Sequence, residues 1–122
     1  MLHGKTILVV EDEPVIALAL EDLLLDGGAR PLFASTLAEG EAKVAAHALD
    51  AALLDVNIHG KQSYPLARIL RAHGVPFIFA SGYGATVHDA EFAGVPTIAK
   101  PYSLADIEGA LTEAVNALAA DE

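Results

Sequence analysis

The sequence contains no cysteine, which removes disulfides, thiolate nucleophiles and cysteine-ligated zinc together. Basic residues are scarce. Seven Lys and Arg against 17 Asp and Glu leave a formal charge of −10, and a field of that sign repels phosphate backbones and anionic lipid surfaces. Nucleic-acid and membrane partners are therefore not expected. Long apolar runs are missing too: the first, residues 7–10, is stopped at once by Glu11 and Asp12, short of the about 7–15 apolar residues of a signal-peptide core and the about 20 of a membrane span. The expected location is the cytoplasm. The five histidines (His3, His47, His59, His73 and His88) show no metal-ligand spacing, which argues against a zinc or iron centre. Repeats, linkers and low-complexity tracts are also absent, so residues 1–122 are expected to form one domain with no output domain.

What is present is a core. Hydrophobic residues make up 53% of the chain and charged residues 20%, too apolar for a disordered tail. Five short apolar runs (residues 7–10, 32–34, 51–54, 77–80 and 97–99) alternate with helical patterns. That alternation predicts βα units and a parallel sheet covered on both faces, the runs being nearly continuous as in doubly buried strands. Ile16, Leu20, Leu23 and Leu24 mark the inner face of a first helix that Gly27-Gly28 ends. Thr36 with Glu39 starts a second helix, a third covers about 63–72, and Ser103 with Asp106 offers a capping box for a last helix with a stripe of Leu104, Ile107, Leu111, Val115 and Leu118. The segment 82–94 carries only a weak pattern of Val87, Ala90 and Phe92, predicting a short or mobile helix. Pro31 and Pro96 fall in or beside runs two and five, and proline favours sheet edges. A strand order of 2-1-3-4-5 satisfies both and sets the first and third strands side by side at a topological switch point.

Four of the runs end in a particular polar residue: Glu11 and Asp12, Asp55, Ser81 and Lys100. Ligands of open parallel sheets bind outside the carboxyl ends of the strands, so these side chains should converge. Three converging carboxylates must either protonate one member or bind a cation, and a hard divalent ion such as magnesium suits oxygen donors. With an ammonium and a hydroxyl alongside, the set has the parts for phosphoryl transfer, in which a carboxylate can itself be the nucleophile.

The runs Ile7-Leu8-Val9-Val10-Glu11-Asp12-Glu13-Pro14 and Leu53-Leu54-Asp55-Val56-Asn57-Ile58, with Ser81 and the pair Lys100-Pro101, resemble the receiver domain of bacterial response regulators over about residues 4–118. Phe79-Ala80-Ser81-Gly82-Tyr83-Gly84 is similar to the Phe-Ala-Thr-Gly hallmark of stand-alone FATGUY-type receivers, known from alphaproteobacteria and often paired with HWE-type histidine kinases.

The resemblance implies an α/β flavodoxin-like, doubly wound (βα)5 sandwich. It also implies a single-domain response regulator of two-component phosphorelay signalling. Asp55 would accept a phosphoryl group from a histidine kinase or histidine phosphotransfer protein. Glu11, Asp12, Asp55 and the backbone carbonyl of Asn57 would hold Mg2+ or Mn2+. Ser81 and Lys100 would bind the phosphoryl oxygens, and the Lys100-Pro101 bond would be cis. The protein would catalyse only its own phosphorylation and dephosphorylation, and would signal to a still unidentified protein target as a monomer or weak dimer.

Two departures stand out. Thr97 occupies the place of the usual switch aromatic, with Tyr83 or Tyr102 as candidate substitutes. Ile58-His59-Gly60 replaces the usual Met-Pro after the phosphoacceptor strand, and puts His59 where it could influence acyl-phosphate hydrolysis or simply be solvated. Glu13 reads as a first-turn acid rather than a ligand. The rival readings are a degenerate receiver acting as a phosphorylation-independent scaffold, and a magnesium-dependent phosphatase, which a chain without a substrate cap or a second acid beside Asp55 does not favour.

Overall fold

The computed structural model describes residues 2–81, 90–99 and 102–120. Its elements run β1 (Thr6–Val10), α1 (Pro14–Asp26), β2 (Arg30–Ala34), α2 (Leu37–Ala46), β3 (Ala51–Asp55), β4 (Asn57–Ile58), β5 (Lys61–Gln62), α3 (Tyr64–Ala72), β6 (Phe77–Ser81), a 3-10 turn (Ala90–Phe92), β7 (Thr97–Ala99) and α4 (Leu104–Ala120). Five strands form a parallel sheet in the order β2-β1-β3-β6-β7, which is the 2-1-3-4-5 order once the small hairpin β4-β5 is set aside. Pro31 does lie in an edge strand, and Pro96 immediately precedes the other.

Alternation along the central strands sorts the core into two layers. Leu8, Val10, Ala52, Leu54, Phe77 and Phe79 face α2 and α3, whereas Ile7, Val9, Ala51, Leu53, Ile78 and Ala80 face α1 and α4. Every residue of β3 and β6 is buried, as the unbroken apolar runs require. The edge strands β2 and β7 are only partly covered.

Helix ends follow the local chemistry. Pro14 occupies the first turn of α1, where its missing N–H costs nothing, and Gly28 takes φ +80 just beyond the helix end. Thr36 caps α2 by accepting from the Glu39 amide at 3.0 Å. The Glu39 carboxylate in turn accepts from the Ser35 amide at 3.2 Å. At α4 the box is reciprocal, with Ser103 N to Asp106 Oδ2 at 2.9 Å and Asp106 N to Ser103 Oγ at 3.2 Å.

Three details differ from the sequence expectation. In α4 the buried positions are Ile107, Ala110, Leu111 and Ala114, while Val115 is 41% exposed. Alanines at 110 and 114 let the helix sit close on the sheet, and position 115 has turned past the contact. In α1, Val15, Leu18 and Leu25 point outward in addition to the inward Leu20 and Leu24. Third, Phe92, weakly marked in the sequence, is fully buried. It stacks on Tyr64 at 5.1 Å, meets Phe79 edge-on at 5.8 Å and lies under the Arg71 guanidinium at 4.8 Å. Arg68 also grips the neighbouring Glu91 through Nε at 3.0 and 3.1 Å. An exposed pair like this adds little by itself. The ring does the anchoring.

Two stability predictions follow from this packing. A Cβ at Gly40 of α2 would lie 2.6 Å from Leu66 Cδ2 and 3.4 Å from Val10 Cγ2, so Gly40→Val should cost about 1–3 kcal/mol by overpacking. Phe92→Ala should cost about 3–5 kcal/mol. Both are read as a fall in the urea midpoint without a change in slope.

Candidate metal and phosphoryl site

The sheet register assembles the site. Val10 pairs with Leu54, and Asp55 pairs with Ala80. Glu11 and Asp12 therefore emerge beside Asp55, and Ser81 lies one step beyond the partner of Asp55. The Glu11 amide donates to the Ala34 carbonyl and the Val56 amide to the Ala80 carbonyl, which ties the strand ends together. Glu11 and Asp55 are 3% and 8% exposed, and Ser81 is buried. Asp12 is half-buried, while Asn57 is exposed.

One carboxylate oxygen from each of Glu11, Asp12 and Asp55 lies within 4.8 Å of the others. At that spacing each ionised pair repels by roughly 3 kcal/mol at an effective dielectric of about 20. The trio shows how the charge is managed. The Glu13 amide donates to Glu11 Oε2 at 3.3 Å, and the Asn57 amide to Asp55 Oδ1 at 3.4 Å. Burial opposes the charge on Asp12, but hydrogen bonds led by the His59 amide outweigh it and hold its pKa below the ordinary 3.8. Three oxygen donors held together with two of their residues buried are a donor set that fits a hard divalent cation.

The His59 contact comes from the β4-β5 hairpin, where the sequence suggests only a loop. Ile58 pairs with Lys61 across the two-residue turn His59-Gly60, whose φ values are +50 and +77. Positive φ at both central residues is the pattern of a type I′ turn. The signal was the replacement of Met-Pro by Ile58-His59-Gly60. The turn aims the His59 amide at Asp12 Oδ2, 2.8 Å away, and leaves its Nδ1 3.9 Å from the same oxygen.

Of the other predicted positions, Thr97 is partly buried and its hydroxyl donates to the Val95 carbonyl at 3.4 Å. Tyr102 packs partly buried against the α1 and α4 layer. Glu13 precedes α1, is exposed, and makes no side-chain cap. Tyr83, Lys100 and Pro101 lie outside the described residues. So does most of segment 82–94, of which the 3-10 turn and the residues after it are described.

No protein-family model and no curated protein matches the chain. Solved structures do. SdrG from Sphingomonas melonis Fr1 is 38% identical, with a TM-score of 0.82 over 92% of this chain and 97% of that one. The BeF3-activated conformation of SdrG, from Pseudomonas melonis Fr1, is 36% identical, with a TM-score of 0.76 over 94% and 99%. The receiver domain of the Pseudomonas aeruginosa PAO1 sensor histidine kinase PA1611, described with a magnesium ion coordinated in its active-site cleft, is 25% identical, with a TM-score of 0.77 over 93% and 98%. The Erythrobacter litoralis PhyR response-regulator receiver domain shares the fold at 22% identity, with a TM-score of 0.78 over 93% and 92%. A parallel sheet of this order, an acidic trio at its carboxyl edge and relatives of this similarity along nearly the whole chain lead to one conclusion: the chain belongs to the response regulator receiver domains.

Proposed function

We propose that this protein is a magnesium-dependent phosphoacceptor of a two-component phosphorelay, phosphorylated on Asp55. The observation that carries the reading is the mutual approach of Glu11, Asp12 and Asp55 within 4.8 Å at the ends of β1 and β3, with Ser81 buried at the end of β6. The magnesium described in the PA1611 receiver supports it. Glu11, Asp12, Asp55 and the Asn57 carbonyl hold Mg2+ or Mn2+. The ion supplies charge neutralisation, so that an anionic phosphoryl group can approach an anionic carboxylate.

The residues then divide the work. An Asp55 carboxylate oxygen attacks the phosphorus of a phosphohistidine, an O–P bond forms, the N–P bond breaks, and the donor imidazole leaves with the bonding electron pair. Ser81 donates its hydroxyl to a phosphoryl oxygen, and Lys100, by the family resemblance, neutralises the developing charge. Dephosphorylation is the attack of water on the same phosphorus, which breaks the P–O bond to Asp55 and releases inorganic phosphate and the free carboxylate. Phosphorylation exchanges one negative charge for a group of roughly −2, a change that redirects Ser81 and Lys100 and alters affinity for a protein target.

The donor is a histidine kinase or phosphotransfer protein, and α1 offers a place for it. Immediately beyond the acidic pair, Val15 and Leu18 are 81% and 62% exposed, with Pro14 and Ala19 exposed beside them. An apolar patch on the rim of the site favours docking of an amphipathic helix that carries the donor histidine.

Intact mass after incubation with a small acyl phosphate and Mg2+ should show one added phosphoryl group, lost in Asp55→Asn and without metal. No gain, together with no Mg2+ uptake in a titration, would leave the phosphorylation-independent scaffold as the better reading. Leu18→Asp should slow phosphotransfer from the protein donor about tenfold, equivalent to about 1.4 kcal/mol. Its labelling by acyl phosphate should match wild type, and equal loss in both assays would remove α1 from the docking role.

A further inference from the structure

The residue that replaces proline beside the acidic trio has no role in the reading above. Its main chain is fixed: the His59 amide donates to Asp12 Oδ2 at 2.8 Å, and φ of +50 in a two-residue turn sets the direction of its Cβ. The imidazole consequently hangs at the mouth of the site, with Nδ1 3.9 Å from Asp12 Oδ2. It is 59% exposed, so its ring is free to turn. Two donors on one ion, each with a bond of about 2.1 Å, stand between about 3.0 Å apart when adjacent and about 4.2 Å when opposite. The present separation of 3.9 Å between Nδ1 and Oδ2 matches neither value, so the ring must turn to become a ligand. The ring lies outside the mutual cluster of the three carboxylates. A rotation about its side-chain torsions, at the cost of an exposed rotamer change, carries it inward.

We propose that His59 is a metal-selecting residue: its imidazole supplies a nitrogen donor to an ion held by Glu11, Asp12 and Asp55, and gives the site a preference for nitrogen-binding divalent ions over Mg2+. This rests on the reading of the trio as a metal site. Mg2+ is satisfied by oxygen alone and gains little from imidazole, whereas Co2+, Ni2+ and Zn2+ gain strongly. A chain with proline at this position has neither the donor ring nor the amide on Asp12. The consequence is a receiver whose site reads the identity of the available metal.

The test compares Mg2+, followed by calorimetry, with Co2+, followed by its visible absorption, on the full chain and on His59→Asn and His59→Gly. Both substitutions tolerate positive φ and keep the backbone amide, so the hairpin and its grip on Asp12 survive. The ratio of Mg2+ to Co2+ dissociation constants should fall about tenfold in both variants, with the Mg2+ constant within about threefold of wild type. A merely structural effect of the substitutions would weaken both ions together and leave the ratio in place, which overturns the proposal. Co2+ absorption that persists in Asp12→Asn would assign the ion to the other histidines and overturn it equally. Failure of the wild-type chain to take up Mg2+ would sink the phosphoacceptor reading itself, an outcome distinct from Mg2+ uptake with an unchanged ratio.

Discussion

Mutual repulsion among Glu11, Asp12 and Asp55 is the constraint around which the rest of the molecule is arranged. Carboxylates that close are costly, and they stay close only because rigid elements hold them. The parallel register of β1 against β3 leaves no freedom at the strand ends, since both strands are locked by neighbours on either side. The two apolar layers, one on each face of the sheet, supply that rigidity. A weaker core would let the acids separate and the site dissolve.

The arrangement also explains why so many backbone amides face the carboxylates. The amides of Glu13, Asn57 and His59 each donate to a member of the trio. They offset part of the charge through the main chain, which is fixed by the fold. Because the folded pKa of Asp12 is lowered, its contribution to stability is present above the unfolded value of 3.8 and is lost as pH falls through the folded value. Asp12 thus stays ionised to a lower pH than an ordinary aspartate.

The layer architecture and strand order were legible because both depend on simple periodicities. Unbroken apolar runs marked β3 and β6, prolines marked the edges, and polar residues at four of the five strand ends marked the site. Glu11, Asp12 and Asp55 were found from this logic, and the structure brings them together. What the sequence concealed was local or small in scale. A two-residue ladder such as Asn57–Ile58 with Lys61–Gln62 has no periodicity to detect, and its His59-Gly60 turn uses a residue that seldom takes positive φ. The burial of Phe92 was hidden for another reason: it comes from an aromatic cluster with Tyr64, Phe77 and Phe79, residues distant in the chain. Val115 misled because alanines at 110 and 114 carry little hydrophobic weight in a pattern, yet decide where the helix touches the sheet.

The left-handed turn at His59 also bears on how such a protein can change over evolutionary time. Proline is confined to φ near −65°, whereas this backbone sits at +50. A single His59→Pro replacement would break the hairpin, so a change to a Met-Pro loop here requires a rebuilt turn. The hairpin therefore acts as a ratchet: where it is present, substitutions at this corner of the site explore the residues that accept a left-handed backbone, and the acidic trio's rim takes whatever side chain that filter admits.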